Sequence, residues 1–465
     1  MTLLAASLAA VAWGALAFGA VYPWAFTPLA IACASIGLAA LFIERRGRPP
    51  IGALAIGLLA IGVAIGLQLV PLPAAVLARV SPGSDGFLNQ YELSYTVMHQ
   101  AHPISIAPAS TAVGLMLFAA FALFLLGLSR LASVAAASSI GRPLIWFGIV
   151  LALVGIAQYT LTADEVHPLI YGFWQPRFNS HPFGPFVNPN HFAGWMLMAL
   201  PLALAAFYDG LLRAIHPAPR PHKDRMALLG SPQFGVLMMF VLSCFVMGLS
   251  LVMTRSRSGI AAFALGSVLA GWVVFRQQTG RVAKAVVAAA FLVLLLGTAG
   301  WAGFDAAFGK FLADRQGLSM GGRIGAWKDT LQIIRRFPLT GSGLDTYGTA
   351  MILYQTGTRA LHFQEAHNDY LQLAAEGGLL VGLPVLFTAA VFVRDVRRRF
   401  REAPKKGTTY WFRVGAAIGL VSIALQSLVE FSLQMPGNAA LFAVLAAIAL
   451  HQSPNLRRGT QDGVA

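Results

Sequence analysis

The 465-residue chain is 57% hydrophobic and only 11% charged, with a mean hydropathy of +0.68, which excludes a soluble globular protein of this length. It carries 33 Lys and Arg against 18 Asp and Glu, a formal net charge of +15. No folded basic domain accompanies that excess, so nucleic acid is excluded as a partner, and the charge reads as a topology signal and an attraction to anionic membrane lipids.

A hydrocarbon core of roughly 30 Å needs about 20 helical residues. In chain order, apolar runs of this kind fall near residues 3–20, 27–43 and 51–70. Met1 and Thr2 supply no positive region ahead of the first run, which is therefore read as a span and not as a signal peptide. A long external segment, 71–111, follows, then spans near 112–129 and 144–161 and a second long segment, 162–189, with Arg177 and an aromatic, proline-rich stretch from Trp174 to Phe186. Asn188-Pro189-Asn190-His191-Phe192 opens the sixth span, near 190–208. An asparagine before a helix is a natural cap; the functional alternative for Asn188, Asn190 and His191 is contact with a sugar or a phosphate.

Spans near 234–253 and 259–275 flank the hinge Thr254-Arg255-Ser256-Arg257-Ser258. If Ser256 or Ser258 caps the second of these, two guanidiniums stand beside the positive end of a helix dipole, which favours a bound anion. The alternative is that Arg255 and Arg257 reach lipid phosphates, as interfacial arginines do. After a ninth span near 285–304, the longest external segment, 305–369, contains Ile324, Trp327, Leu331 and Ile334 at helical spacing before Pro338, which predicts an amphipathic helix at the membrane surface. Arg323 starts that helix, with Trp327 one turn on in position to pack on the guanidinium, whereas Lys328, Arg335 and Arg336 belong to its polar face. Gly341-Ser342-Gly343 predicts a flexible turn, and Tyr347 and Tyr354 offer rings for sugar faces.

The chain re-enters the membrane at His367-Asn368-Asp369-Tyr370. An imidazole here can take a proton from a hydroxyl near neutral pH, and Asn368 beside it is a candidate substrate contact. The last spans lie near 370–393, 412–430 and 437–451, and Glu376 and Glu430 are the chief ionisable groups within spans. Cys33 and Cys244 lie in apolar runs and fill space. No Asp-x-Asp pair suggests a metal site, and no internal repeat suggests a transporter built from inverted halves. About twelve spans result, and the excess of Lys and Arg in the segments around 44–48, 213–225 and 394–413 sets both termini on the cytoplasmic side.

Arg257-Ser258-Gly259 after a span, Gly322-Arg323 with Trp327, the turn from Pro338 to Gly343, and His367-Asn368-Asp369-Tyr370-Leu371 followed by Glu376-Gly377-Gly378 resemble the O-antigen ligase and polymerase superfamily of bacterial envelope glycosyltransferases. The similarity is strongest over residues 185 to 385, and the layout extends it along the chain. It implies an all-α, GT-C-like polytopic transmembrane helix bundle, with residues 1–465 as one integral membrane domain in the bacterial inner membrane. It also implies a metal-independent inverting transfer, with no cofactor, of a glycan from an undecaprenyl-diphosphate carrier to an acceptor hydroxyl on the periplasmic face. Carried over residue by residue, Arg257 and Arg323 neutralise the diphosphate and His367 activates the acceptor, which is a glycan, a lipid A core or a protein. A repeat-unit polymerase or a protein oligosaccharyltransferase shares this chemistry. A flippase or exporter for lipid-linked glycans is the non-enzymatic alternative; it calls for polar groups lining a path through the bilayer, whereas the polar residues here gather at one face.

Overall fold

A computed structural model describes residues 2–42, 52–98, 100–132, 137–162, 165, 168–176, 181–215, 232–277, 320–356, 362–402 and 407–451. Every long regular element among them is a helix: α1 (Thr2–Leu16), α2 (Pro23–Leu41), α3 (Gly52–Leu67), α4 (Ala74–Val80), α5 (Pro82–Tyr91), α6 (Leu93–Met98), α7 (Pro108–Leu131), α8 (Ala137–Leu161), α9 (Pro189–Ile215), α10 (Pro232–Met253), α11 (Arg257–Gln277), α12 (Met320–Arg336), α13 (Tyr347–Tyr354), α14 (Asp369–Glu402), α15 (Thr408–Gln426) and α16 (Pro436–Ala449). Among the described residues, seven helices are long and apolar enough to cross a membrane, and α1, α3, α16 and the apolar part of α11 are shorter apolar helices. The span expected near 285–304, residues 305–319 and 357–361 of the long segment, and Arg177 lie outside the described residues.

Lipid is as apolar as leucine, so close packing and not hydrophobicity selects which faces meet, and small residues let backbones approach. At the crossing of α2 and α7, a Cβ on Gly37 would come within 2.4 Å of the Leu123 carbonyl oxygen, and one on Gly127 within 2.5 Å of the Gly37 oxygen. Helix α9 is buried on nearly all sides, with Trp195, Met196, Leu197, Met198 and Ala199 fully enclosed, and packs against α8, α10 and α15.

At one end of the bundle the two long segments rest on each other. Gln68, fully buried at the end of α3, donates to the carbonyls of Thr340 and Glu376, each at 2.8 Å, and accepts the Leu344 N–H at 3.1 Å. Ile106 N–H meets the Ser342 carbonyl at 2.9 Å, and Ile106, Ile333, Phe337, Tyr347, Met351 and Ala366 form a small apolar core beneath. Helix α14 is interrupted at Gly378 (φ +53). The backbone groups freed there are taken up by the 338–343 turn: Leu379 N–H meets the Pro338 carbonyl, Leu380 N–H that of Leu339, Ser342 N–H that of Ala375, and Gly343 N–H that of Glu376. The turn predicted to be flexible is therefore pinned, because each polar group exposed by a broken helix in a membrane protein needs an internal partner.

The helix expected before Pro338 is present as α12. Ile324 (43% exposed) and Leu331 (44%) point outward, while Ala326, Asp329, Thr330 and Ile333 are buried. Asp329 is satisfied by the Thr356 N–H at 3.0 Å and its hydroxyl at 2.6 Å.

Candidate functional site

Between α15 and α16 the chain makes a short non-helical passage, Ser427 to Phe431, followed by a 3-10 turn at Ser432–Gln434. Three separate segments attach to it. The Asn368 side chain donates to the Leu428 carbonyl at 2.8 Å, and its Oδ1 accepts the N–H groups of Tyr370 and Leu371, so it both caps α14 and staples it to the passage. Asp369 N–H reaches the Ser427 carbonyl at 2.9 Å, and Tyr370 donates its hydroxyl to the Ala424 carbonyl at 2.8 Å.

The centre of the site is Glu430, only 1% exposed. Its Oε1 accepts from Arg323 Nη2 at 2.5 Å and from Asn190 Nδ2 at 2.7 Å, and its Oε2 lies 3.4 Å from His367 Nδ1. Burial pushes this carboxyl up, but the His367 contact and the Arg323 guanidinium outweigh it and hold the group below the ordinary carboxylate range. Arg323 also donates through Nη1 to the Val429 carbonyl at 3.1 Å, while its buried Nε has no partner among the described residues. The Phe431 ring lies between two imidazoles, edge-to-face with His191 (centroids 4.7 Å apart) and with His367 (4.8 Å).

His367 holds a left-handed backbone conformation, φ +49, which a non-glycine residue adopts at a cost and which surrounding contacts must impose. They are at hand on both sides. Trp327 donates its indole N–H to the Ala366 carbonyl at 2.9 Å, and Ala366 N–H meets Gln372 Oε1 at 2.9 Å. Trp327 thus fixes the backbone beside the histidine. Gln372 also donates to Glu365 at 2.5 Å, to Gln434 at 3.1 Å and to Glu376 at 3.3 Å. Burial pushes the Glu365 carboxyl up to about 8, with Glu376, Asp345 and Asp369 adding to the rise and the Gln372 hydrogen bond opposing it. Because the folded state holds this proton and the unfolded chain releases it near 4.5, the stabilising contribution is whole below about pH 4.5 and is lost as pH rises through about 8. Melting temperatures measured in detergent are expected to fall across that window, and Glu365→Gln to flatten the slope; an unchanged slope in the variant would refute the assignment.

The hinge approaches from the other side of α9. Ser256 Oγ accepts the Gly259 N–H at 3.2 Å and caps α11, and a Cβ on Gly259 would come within 2.7 Å of the Ala193 Cβ, two residues beyond His191. A Cβ on Gly194 would meet Ser432 at 2.7 Å, so hinge, α9 and passage are layered in that order. Arg257 is exposed at the first position of α11. Arg255 is exposed, holds φ +54, and lies 5.8 Å from the Tyr159 ring centroid. Asn188 caps α9, its Oδ1 accepting the Asn190 N–H at 2.8 Å. Tyr347, 1% exposed, hydrogen-bonds Thr330 at 2.9 Å and belongs to the apolar core of the loop, with no ring face open to a sugar.

The structure therefore gathers Asn190, His191, Arg323, Trp327, His367 and Asn368 around one passage, and brings the capped hinge against the adjacent helix. The residue at its centre, Glu430, was visible in the sequence only as a costly charge at the end of an apolar run; the signal was that such a charge needs a cation. Phe431 carried no signal of its own. Among the described residues no group of three His, Cys, Asp or Glu could hold a metal ion.

Bundle and site together define a polytopic membrane protein with a buried carboxylate, arginine and histidine centre at one end. Residues 242–387 match the family model described as O-Antigen ligase, a likeness that supports the O-antigen ligase superfamily. The match includes the hinge, Arg323 and His367, and ends before Glu430. No curated protein matches the chain.

Proposed function

We propose that this protein transfers a glycan from an undecaprenyl-diphosphate carrier to an acceptor hydroxyl at the periplasmic face of the inner membrane, without a metal ion and with inversion at the anomeric carbon. The observation that carries the reading is the junction of Arg323 and His367 on one buried carboxylate, which joins an anion-binding group to a proton acceptor. In this mechanism the acceptor oxygen attacks the anomeric carbon, its proton passes to His367, and the bond to the diphosphate breaks. The leaving diphosphate gains negative charge, so guanidiniums already in place favour the transition state over the ground state. Arg323 and the hinge arginines, Arg257 chief among them, take that role. Asn190, His191 and Asn368 surround the reacting sugar, and Arg255 and Arg177 assist the carrier's approach.

The test is a reaction with purified protein, a lipid-diphosphate glycan and separate acceptors (a lipid A core, a second copy of the donor, a protein) in the presence of chelator. Transfer that persists in chelator supports the reading, and the acceptor consumed separates ligase, polymerase and protein transferase. Activity lost to chelator and restored by a divalent cation would remove the metal-independent mechanism.

A further inference from the structure

Glu430 serves two partners unequally. Its Oε1 is fully engaged by Arg323 Nη2 at 2.5 Å and Asn190 Nδ2 at 2.7 Å, whereas the Oε2 contact with His367 Nδ1, at 3.4 Å, is at the outer limit of a hydrogen bond. Phosphate oxygens bind arginine best two at a time, along one edge of the planar group. On Arg323 the edge formed by Nε and Nη2 has Nε buried without a partner, and Nη2 held by Glu430. An anion that takes this edge in two-point fashion supplies the missing acceptor for Nε and competes with Glu430 for Nη2.

We propose that Glu430 is a positioning residue exchanged between Arg323 and His367: diphosphate on Arg323 releases Oε1, and the freed carboxylate closes on His367 Nδ1. That contact holds the imidazole proton on Nδ1 and leaves Nε2 to accept the proton of the attacking hydroxyl. The histidine is thereby set to accept the hydroxyl proton only when a donor is bound, which couples the two substrates in a fixed order, donor first. The coupling rests on the transfer reaction proposed above. The charged and titratable groups facing His367 are Glu430, Arg323 on α12, Asp369 on α14, Glu365 two residues before it, and His191 of α9 across the Phe431 ring.

The experiment compares wild type, Glu430→Gln, Glu430→Asp and Arg323→Ala in detergent, measuring binding of undecaprenyl diphosphate without glycan and, separately, turnover at saturating glycan donor. Glu430→Gln is expected to bind the carrier several-fold more tightly than wild type, since Arg323 no longer has a charged competitor, while turnover falls about 10²-fold or more. Glu430→Asp, which draws the carboxylate back by one methylene, changes binding and turnover in the same directions and serves if the glutamine variant does not accumulate. Binding and turnover that weaken together overturn the exchange and leave Glu430 a structural strut. Failure of the underlying transfer reading looks different: wild type then binds no carrier, or Arg323→Ala binds it as well as wild type does.

Discussion

His367→Asn is expected to lower turnover by about 10²- to 10⁴-fold, the range lost when a general base is removed, while binding of the lipid-diphosphate carrier stays close to wild type. Asparagine is the informative replacement because position 367 has φ +49, and asparagine tolerates the left-handed region better than other non-glycine residues. Alanine there would add backbone strain to the loss of the imidazole and confuse the two effects. The contacts that hold the neighbouring backbone, Trp327 to the Ala366 carbonyl and Gln372 to the Ala366 N–H, are untouched by the change. Single-turnover transfer and carrier binding, measured on the same preparation, separate the outcomes: lost binding would mean that His367 holds the donor, and retained turnover would remove it from the chemistry.

The second large effect is expected from Arg323→Ala, which combines a functional and a structural loss. Carrier affinity and turnover fall together, because the residue that neutralises the diphosphate in the ground state also meets the charge that develops as the bond breaks. Arg323→Lys restores little of either, since an ammonium cannot replace a planar two-point contact and the additional bond to the Val429 carbonyl. Glu430, 1% exposed, is left without its arginine, and removing one partner of a buried ion pair costs about 3–5 kcal/mol. The double variant Arg323→Ala with Glu430→Gln should therefore regain thermal stability without regaining transfer. If Arg323→Ala melts like wild type and keeps its affinity, Arg323 has neither role.

The apolar runs near 112–129, 144–161, 190–208 and 234–253 each correspond to a helix long enough to cross a membrane, and the helix ahead of Pro338 is present. The buried face of that helix was less legible. Ile324 and Leu331 share a stripe with Trp327, yet they point outward while Asp329 and Thr330 are buried. Hydropathy cannot separate a stripe that meets lipid from one that meets protein, and Asp329 is buried only because Thr356 returns to satisfy it. Local spacing offered Ser256 or Ser258 as the cap of α11 and Asn188 or Asn190 as that of α9, and the structure uses Ser256 and Asn188. For Tyr347 the same local reading offered a sugar-stacking ring, and the tertiary core enclosed it instead.

Long apolar helices, the cationic hinge and the histidine just ahead of α14 were readable from the chain because they depend on quantities that add up locally: transfer of side chains into hydrocarbon, helical periodicity, and turn and cap preferences over a few residues. The carboxylate at the heart of the site was not. Glu430 meets Asn190, Arg323 and His367 across separations of 240, 107 and 63 residues, and such meetings are set by how glycine-lined helices cross and by where a non-helical passage interrupts them. A buried charge announces that it must have a partner. Which partner it has follows only from the packed arrangement of the helices.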